Sequence, residues 1–359
     1  MSASPDVTLV FPAGMAAART LAAEAEARGG RVVGASSLPF DPARRRFPDW
    51  EHLPYHDAPD FPARLSATIR ARGITRVATP HPVVHERLHD LLPRIAPGCA
   101  LRAVAPYAAE VAGYRSLLRD AAFLTEDARL GRGTRQPPLG AEAAAALLRA
   151  AWAVPGMCDD EKIWALAAIA RHAPPGDLVE IGSWWGKSAL VLAWLAARHG
   201  IGDLLCVDPW TPEGTRQGVE ELDTVSAAAD HEEAMRIFRI NLLSFGGRGV
   251  NTLRLSSVEG AAAYRASRVV ESPAFGRTTY TGAISILHID GNHAHEHVSA
   301  DVASWLPLLR AGGWLVLDDY LWPFGDGPRR VGDALLSGRA DDIRCAFTAG
   351  SALFICLGG

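Results

Sequence analysis

Residues 178–189 read LVEIGSWWGKSA. An apolar strand ends on Glu180, Gly182 and Gly186 follow four residues apart, and a helical pattern then begins. A strand, turn and helix in this order direct free backbone N–H groups at a ligand. The spacing E-x-G-x-x-x-G differs from the G-x-G-x-x-G of dinucleotide-binding turns. Since ligands of open α/β sheets bind beyond the carboxyl ends of the strands, the stretch predicts a nucleotide-like ligand here.

A second carboxylate, Asp208, ends the next apolar run, LLCVD. An ionised carboxylate can only accept hydrogen bonds and a ribose diol donates two, so an acid at this place suits a ribose. The alternative is that Glu180 and Asp208 only cap strands and helices. Because the two acids follow consecutive strands, the cofactor interpretation is favoured.

The rest of the carboxyl-terminal part continues the alternation of strands and helices, which predicts an α/β domain. Continuous apolar runs suit a sheet buried on both faces. We predict parallel strands at 178–181, 204–207, 252–255, 284–289 and 314–317, and a closing antiparallel pair at 343–347 and 352–356. Helices are expected near 187–198, 232–243, 258–264 and 296–309.

The amino-terminal part shows its own β-α-β pattern and predicts a smaller α/β domain of unknown role at 1–130. Only Gly14 lies in its first turn, so a phosphate-binding loop is not indicated there. Gly, Pro and polar residues at 131–140 predict a linker, followed by the main domain at 141–359.

The amino-acid composition limits the kinds of molecule that the protein is expected to bind. The chain has 359 residues, 48% hydrophobic content and a net charge of −4, which gives no electrostatic attraction to nucleic acid or to an anionic membrane. Five scattered cysteines without C-x-x-C spacing suit reduced thiols. With no signal-peptide pattern at the start, we expect a cytoplasmic protein with a small-molecule partner. A homo-oligomer is left open.

Three carboxylates follow two neighbouring predicted strands. Asp290 ends one, and Asp318 and Asp319 end the next, so all three should meet at the edge where the cofactor is predicted. A hard divalent cation with oxygen ligands would relieve their repulsion, and we predict Mg²⁺. The alternative is that one aspartate caps the following helix and the others face solvent.

Four histidines crowd beside these acids, at positions 288, 293, 295 and 297. A histidine next to a metal-bound hydroxyl can take its proton. His288 lies inside a strand and is expected to be a satisfied core residue. His293 and His297 are four residues apart, which would suit zinc on a helix, but the H-E-x-x-H arrangement is missing and the nearby carboxylates favour a harder ion.

Three segments carry a family resemblance: LVEIGSWWGKSALVLA at 178–193, LLCVDPW at 204–210, and LHIDGNHAHEHVSADVASWLPLLRAGGWLVLDDY at 287–320. Over about 150–359 the chain resembles class I S-adenosylmethionine-dependent methyltransferases, in particular the metal-dependent group that includes the macrocin and mycinamicin sugar O-methyltransferases. The resemblance implies a Rossmann-like domain with a mostly parallel seven-stranded sheet and helices on both faces.

The resemblance also implies roles for individual residues. His293 would be the base, at the place where the related catechol enzymes carry a lysine. Asp290, Asp318 and Asp319 would hold the metal. Asp208 would hold the ribose, and Ser256 and Ser257 would lie near the adenine. The full set expected to bind S-adenosylmethionine is Glu180, Gly182, Ser183, Trp184, Gly186, Ser188, Asp208, Ser256, Ser257 and Asp290.

The expected function is thus Mg²⁺-dependent O-methylation of a hydroxyl on a sugar, glycoside, vicinal diol or catechol. For Trp184, cation–π contact with the sulfonium and simple packing are equally open. Three alternatives for the whole protein remain: a nicotinamide dehydrogenase, a non-catalytic cofactor-binding module, and a related enzyme acting in acceptor hydroxylation.

Overall fold

The computed structural model describes residues 6–102, 107–128, 130, 136–244 and 249–358. The chain forms two compact units, Met1–Arg115 and Ser116–Gly359. The division falls before the predicted linker because Ala121 and Leu124 already belong to the core of the second unit. Of that linker, 131–135 lie outside the described residues, and the predicted domain limits stay a prediction.

The first unit contains a five-stranded parallel sheet in the order β3-β2-β1-β4-β5. Its strands are β1 Val7–Val10, β2 Arg31–Ser36, β3 Asp49–His52, β4 Arg76–Ala78 and β5 Ala100–Arg102. Its helices are α1 Ala16–Ala27, α2 Phe61–Arg72 and α3 Pro82–Ile95, and α4 Tyr107–Asp120 continues into the second unit. A short 3₁₀ segment lies at Pro42–Arg46, and another, Ala121–Thr125, follows α4 in the second unit. The small parallel sheet predicted for this part is confirmed.

The second unit contains nine described strands and nine described helices. The strands are β6 Asp177–Ile181, β7 Leu204–Val207, β8 Val250–Leu253, β9 Val269–Ser272, β10 Gly276–Thr279, β11 Ile284–Ile289, β12 Leu309–Leu317, β13 Ile343–Ala349 and β14 Ala352–Leu357. The helices are α5 Ala141–Trp152, α6 Asp160–Ala170, α7 Lys187–His199, α8 Pro212–Thr215, α9 Glu220–Ala227, α10 His231–Leu243, α11 Ser257–Ala266, α12 His295–Trp305 and α13 Gly327–Gly338, with 3₁₀ segments at Leu306–Leu308 and Ala340–Asp342.

Seven of these strands form one sheet in the order β13-β14-β12-β11-β6-β7-β8. The pairs from β12 to β8 are parallel, and β14 is antiparallel to both of its neighbours. One apolar core lies under α5, α6, α7 and α10, and a second lies under α11, α12 and α13. The predicted fold class, a Rossmann-like domain with a mostly parallel seven-stranded sheet, is confirmed.

Strand order reverses between β6 and β11, so the connections from these two neighbours run to opposite sides of the sheet. A crevice at their carboxyl ends is the usual ligand position of such a fold. The register places Glu180 beside His288 and Ile181 beside Ile289. The loop after β6, Asp290 after β11 and the acids after β12 therefore meet at one edge.

The structure differs from the prediction in several details of this unit. Strand β12 begins at Leu309, five residues earlier than predicted, and helices α8, α9 and α13 were not predicted. Strand β8 begins at Val250, two residues earlier than predicted, directly after Gly249, whose φ of 71° makes the turn. The antiparallel pair β9–β10 was not predicted, because its sequences VVES and GRTT are short and largely polar. Among the described residues, no helix is long and apolar enough to span a membrane.

Candidate active site

The glycines of the loop after β6 are required by close packing. Gly182 has a φ of 78°, and a Cβ there would lie 2.1 Å from the backbone oxygen of Asp290. Gly186 has a φ of 84°, and a Cβ there would meet the side chains of Leu242 and Phe238 at 2.6 and 2.8 Å. Residues with a Cβ rarely adopt this region of φ. The backbone conformation and the lack of space for a Cβ therefore both favour glycine at the two positions. The spacing of the motif brings the end of β6 against the end of β11.

Asp208 binds this loop directly. Its Oδ2 accepts hydrogen bonds from the backbone N–H groups of Ser183 (2.8 Å) and Trp184 (3.0 Å), and its Oδ1 accepts from the N–H of Trp210 (2.7 Å). Two of the backbone N–H groups that the sequence predicted to face a ligand, those of Ser183 and Trp184, are thus already bound within the protein. Asp208 joins the end of β7 to the loop after β6, and its part in ribose binding stays a prediction.

Glu180 supports the loop from inside the core. Its side chain is fully buried, Ser183 Oγ donates to Oε2 at 2.6 Å, and His288 Nδ1 lies 3.0 Å from Oε1. Both carboxylate oxygens are therefore already engaged. The fully buried His288 is a core residue, as predicted, but it is not a satisfied one. Its Nε2 has no hydrogen-bond partner within the described residues and lies 3.9 Å from Asp290 Oδ2 and 3.7 Å from Asp318 Oδ2.

The serines that were predicted to bind the cofactor are buried or make contacts within the protein. Ser188 is buried in α7. Ser256 caps α11 in a reciprocal arrangement with Glu259, and Ser257 Oγ accepts a hydrogen bond from Trp305 Nε1 at 3.0 Å. Their predicted proximity to an adenine stays a prediction.

Strained backbone marks the same edge of the sheet. The described non-glycine residues with positive φ are Trp184 (45°), Trp210 (43°) and Asp319 (52°). Such conformations cost of the order of 1–3 kcal/mol each and are often found at functional sites. All three residues follow the carboxyl ends of β6, β7 or β12, where the sequence predicted the site.

The structure brings the predicted acids and the predicted base together. One ligand atom from each of Asp290, His293 and Asp319 lies within 4.8 Å of the others, and all three residues are partly accessible. His293 Nε2 is 3.1 Å from Asp319 Oδ2. Neither ring nitrogen of His293 has a hydrogen-bond partner within the described part of the chain, although both are buried. The two carboxylates fit a divalent cation, and the imidazole lies beside them with no hydrogen bond from its ring nitrogens to another described residue.

Lys162 was missed by the sequence reasoning. It lies on α6, is almost fully buried, and its ammonium donates a hydrogen bond to Asp318 Oδ2 while lying 3.7 Å from Asp290 Oδ2. The rarity of lysine could have singled it out, because Lys162 and Lys187 are the only lysines among the 36 basic residues of the sequence. The repulsion expected between the acids is thus partly balanced by the protein itself.

Asp318 is placed differently from Asp319. It is buried, its Oδ2 binds Lys162, and its Oδ1 accepts the backbone N–H of Asp319 at 3.0 Å and the hydroxyl of Ser351 at 3.4 Å. The partly accessible candidate set for a cation contains Asp290 and Asp319, and Asp318 belongs to a second, more buried candidate set with Asp290 and His288. Metal ligation by Asp318, which the resemblance implied, would need this side chain to exchange its partners.

Burial and neighbouring charges both shift the pKa values of this cluster, and for Lys162 and Asp318 the two effects oppose each other. Burial alone would lower the pKa of Lys162, but Asp290 and Asp318 raise it well above its usual range. Burial would raise the pKa of Asp318, but Lys162 holds it well below its usual range. Burial lowers the pKa of His293, which keeps its imidazole neutral and able to accept a proton. Burial and the charge of Asp318 raise the pKa of Asp319.

Two further observations bear on the surroundings of His293. The residue precedes α12, which begins at His295, so His293 and His297 do not share a helical face, and the spacing argument for zinc fails. Trp322 packs edge-on against His293 at 4.5 Å between ring centroids, and Phe324 packs against Trp322 at 5.6 Å. These two aromatic residues, which the sequence reasoning missed, form an apolar wall beside the candidate base.

The family comparison agrees with the site. Residues 179–320 match a family model described as "Methyltransferase domain". This range contains the loop after β6, Asp208, His293 and all three predicted metal acids. The predicted methyltransferase domain is confirmed over these residues. No curated protein matches the chain.

Several solved structures are similar at low identity. The O-methyltransferase NovP is 16% identical, and the match covers 69% of this chain and 99% of NovP with a TM-score of 0.37. An O-methyltransferase from Bacillus cereus in complex with SAH is 15% identical over 61% of this chain and 92% of that one, with a TM-score of 0.39. The MycE methyltransferase, in complex with Mg, SAH and mycinamycin VI, is 17% identical over 51% of this chain and 45% of MycE, with a TM-score of 0.31.

Proposed function

We propose that the second unit is an S-adenosylmethionine-dependent O-methyltransferase that requires Mg²⁺ and methylates a hydroxyl of a sugar, glycoside, vicinal diol or catechol. The observation that carries the proposal is the convergence of Asp290, Asp319 and His293 within 4.8 Å, at the sheet edge that also holds the glycine loop. Support for the donor comes from the matched methyltransferase domain. The proposed acceptor follows from the chemistry of two adjacent oxygens on one cation.

The loop after β6 would present the donor. Asp208 fixes the loop through the amides of Ser183 and Trp184, so its shape is set before the donor binds. Trp184 and Trp185 lie 5.6 Å apart between ring centroids and could cover the methionine end. Much of the rate enhancement would come from alignment of the acceptor oxygen, the methyl carbon and the sulfur in one line.

The acceptor hydroxyl must lose a proton as it attacks. His293 is the proposed base, because burial lowers its pKa and so favours the neutral imidazole. Its Nε2 lies 3.1 Å from Asp319 Oδ2, whose negative charge would stabilise the imidazolium that forms. Asp290 and Asp319 would hold Mg²⁺, which, when bound, lowers the pKa of the hydroxyl and fixes its direction. Trp322 and Phe324 would pack against the acceptor and keep water away from His293.

The experiment follows methyl transfer from labelled S-adenosylmethionine to a panel of catechols and glycosides with vicinal hydroxyls. We expect S-adenosylhomocysteine to form with Mg²⁺ and not with a chelator. Asp319→Asn should abolish turnover, and His293→Asn should lower kcat by about 10²–10⁴. Asp326→Asn is the matched control, since Asp326 is exposed on the same loop and its side chain caps nothing. An unchanged rate after chelation or in Asp319→Asn would remove the metal from the proposal.

A further inference from the structure

His288 is fully buried in β11, yet only one of its ring nitrogens has a hydrogen-bond partner among the described residues. Nδ1 lies 3.0 Å from Glu180 Oε1. Nε2 lies 3.7 Å from Asp318 Oδ2 and 3.9 Å from Asp290 Oδ2. Leaving a buried polar atom without a partner is costly, and an apolar side chain would fill the same space without that cost. Packing alone therefore does not explain a histidine at this position.

The Glu180 end of the contact leads into the glycine loop after β6. Glu180 and His288 lie opposite each other in the register of β6 and β11. Glu180 Oε2 accepts a hydrogen bond from Ser183 Oγ at 2.6 Å, and Ser183 is itself buried. The side chains of these three residues form a continuous buried chain, which we call the Ser183–Glu180–His288 chain. It runs from the loop of the proposed donor site to the space beside Asp290 and Asp318.

The backbone fixes where the two acids begin but leaves their carboxylates to be placed by side-chain contacts. The N–H of Asp290 donates to the oxygen of Ile181 at 2.8 Å, and the N–H of Asp318 donates to the oxygen of Ile289 at 2.9 Å. Asp290 and Asp318 form the more buried candidate metal set together with His288. Because the imidazole is a rigid ring anchored at Nδ1, its Nε2 limits the positions that both carboxylates can take.

We propose that His288 is a positioning residue that joins the glycine loop to the metal acids, so that binding of the methyl donor and binding of a divalent cation strengthen each other. The inference rests on the proposed function, because it assumes both ligands. A donor that orders Ser183 and Glu180 fixes the imidazole, and the fixed imidazole holds Asp290 and Asp318 in place for the cation. By thermodynamic linkage the effect is reciprocal. The chain thereby aligns a cation-bound acceptor with the donor, as in-line transfer requires.

The test titrates MnCl₂ into the full chain by calorimetry, with and without saturating S-adenosylhomocysteine. The measured quantity is the ratio of the two Mn²⁺ dissociation constants. In the wild type we expect S-adenosylhomocysteine to tighten Mn²⁺ binding at least about fivefold. His288→Asn keeps an amide N–H beside Glu180 but has no atom at the place of Nε2, so its ratio should fall to within about twofold of unity. A wild-type ratio of unity, or an unchanged ratio in His288→Asn, overturns the inference.

Two further variants separate positioning from packing. A loss of packing alone would lower Tm and weaken both ligands without changing the ratio. Ser183→Ala releases Glu180 Oε2 at the other end of the chain and leaves the buried ring intact, so the ratio should fall here too. An unchanged ratio in Ser183→Ala overturns the inference even where His288→Asn does not fold. His199→Gln is the control, because His199 is the last residue of α7, at the end opposite the glycine loop, and this variant should keep the wild-type ratio.

Failure of the proposed function gives a different outcome from failure of the inference. If the wild type does not bind Mn²⁺ or does not bind S-adenosylhomocysteine, the proposed function and the inference fail together. If the wild type binds both but each leaves the affinity for the other unchanged, the proposed function stands and only the role of His288 is overturned.

Discussion

Gly182 is the residue at which backbone geometry most directly limits the site. Its φ of 78° and the 2.1 Å approach of a Cβ to the Asp290 oxygen predict that Gly182→Ala is destabilised by at least about 2 kcal/mol. Gly200→Ala is the matched control, because Gly200 has a φ of 63° and nothing within 4 Å of its Cβ position. Urea unfolding of both variants gives the comparison. Equal losses would show that φ alone, and not the contact with Asp290, requires the glycine.

His199, at the end of α7, predicts a pH dependence of stability. Burial, with Arg198 and Arg171 nearby, lowers its pKa to about 4 from 6.5. The unfolded state then binds a proton more readily than the folded state, so the free energy of unfolding falls as pH drops from about 6.5 to 4 and is unaffected above. Because the side chain is partly solvated, we expect a loss of only about 1 kcal/mol.

The measurement is urea unfolding between pH 7 and pH 4. In His199→Gln the free energy of unfolding should fall less between pH 7 and pH 4 than it does in the wild type. His89→Gln, at a position 71% exposed, should behave as the wild type does. An identical pH profile for the wild type and His199→Gln would contradict the assignment.

At the scale of single residues, the sequence identified the residues of the candidate site but not the contacts that they make. Asp290, Asp319 and His293 could be found because acids and a histidine follow predicted strand ends. The bonds from Asp208 to the amides of Ser183 and Trp184 could not, since the path of the loop depends on positive φ at a tryptophan. Lys162 lies far from the motif in sequence and reaches the acids only through the packing of α6.

At the scale of elements, the pair β9–β10 depends on one buried side chain of β8. Asn251 Nδ2 donates to the backbone oxygens of Val270 at 3.0 Å and Gly276 at 2.9 Å. Asn251→Ala removes both hydrogen bonds from the buried donor and should cost about 1–3 kcal/mol. Hydrogen exchange across 269–279 should accelerate in Asn251→Ala and not in the exposed control Thr279→Ala. Unaltered exchange would mean that the pair is held by other contacts.

The sequence predicted those strands that are buried on both faces, since they form continuous apolar runs. Strands β6, β7 and β11 fall in this class and were placed within one residue. Strands β3 and β5, with sequences DWEH and ALR, lie at sheet edges and are short and partly exposed, so neither apolar runs nor alternation reveals them. Edge strands are specified by pairing rather than by burial.

At the scale of the whole molecule, each unit has an apolar core of its own. The sequence predicted two α/β parts because both show alternating strands and helices. It placed the boundary by composition, at 131–140, whereas compactness divides the chain at Arg115 and Ser116. Composition marks where a chain is polar, and compactness depends on which residues pack together. All residues named in the proposed chemistry lie in the second unit.

The central claim, that the loop after β6 binds S-adenosylmethionine beside a separate metal site, is tested most directly by titration of S-adenosylhomocysteine in a calorimeter. The titration uses the wild type, Asp208→Ala and Asp319→Ala with Mg²⁺ present. We predict binding to the wild type, its loss in Asp208→Ala because the loop is released, and its retention in Asp319→Ala. An absence of binding to the wild type, or equal binding to Asp208→Ala, would contradict the claim.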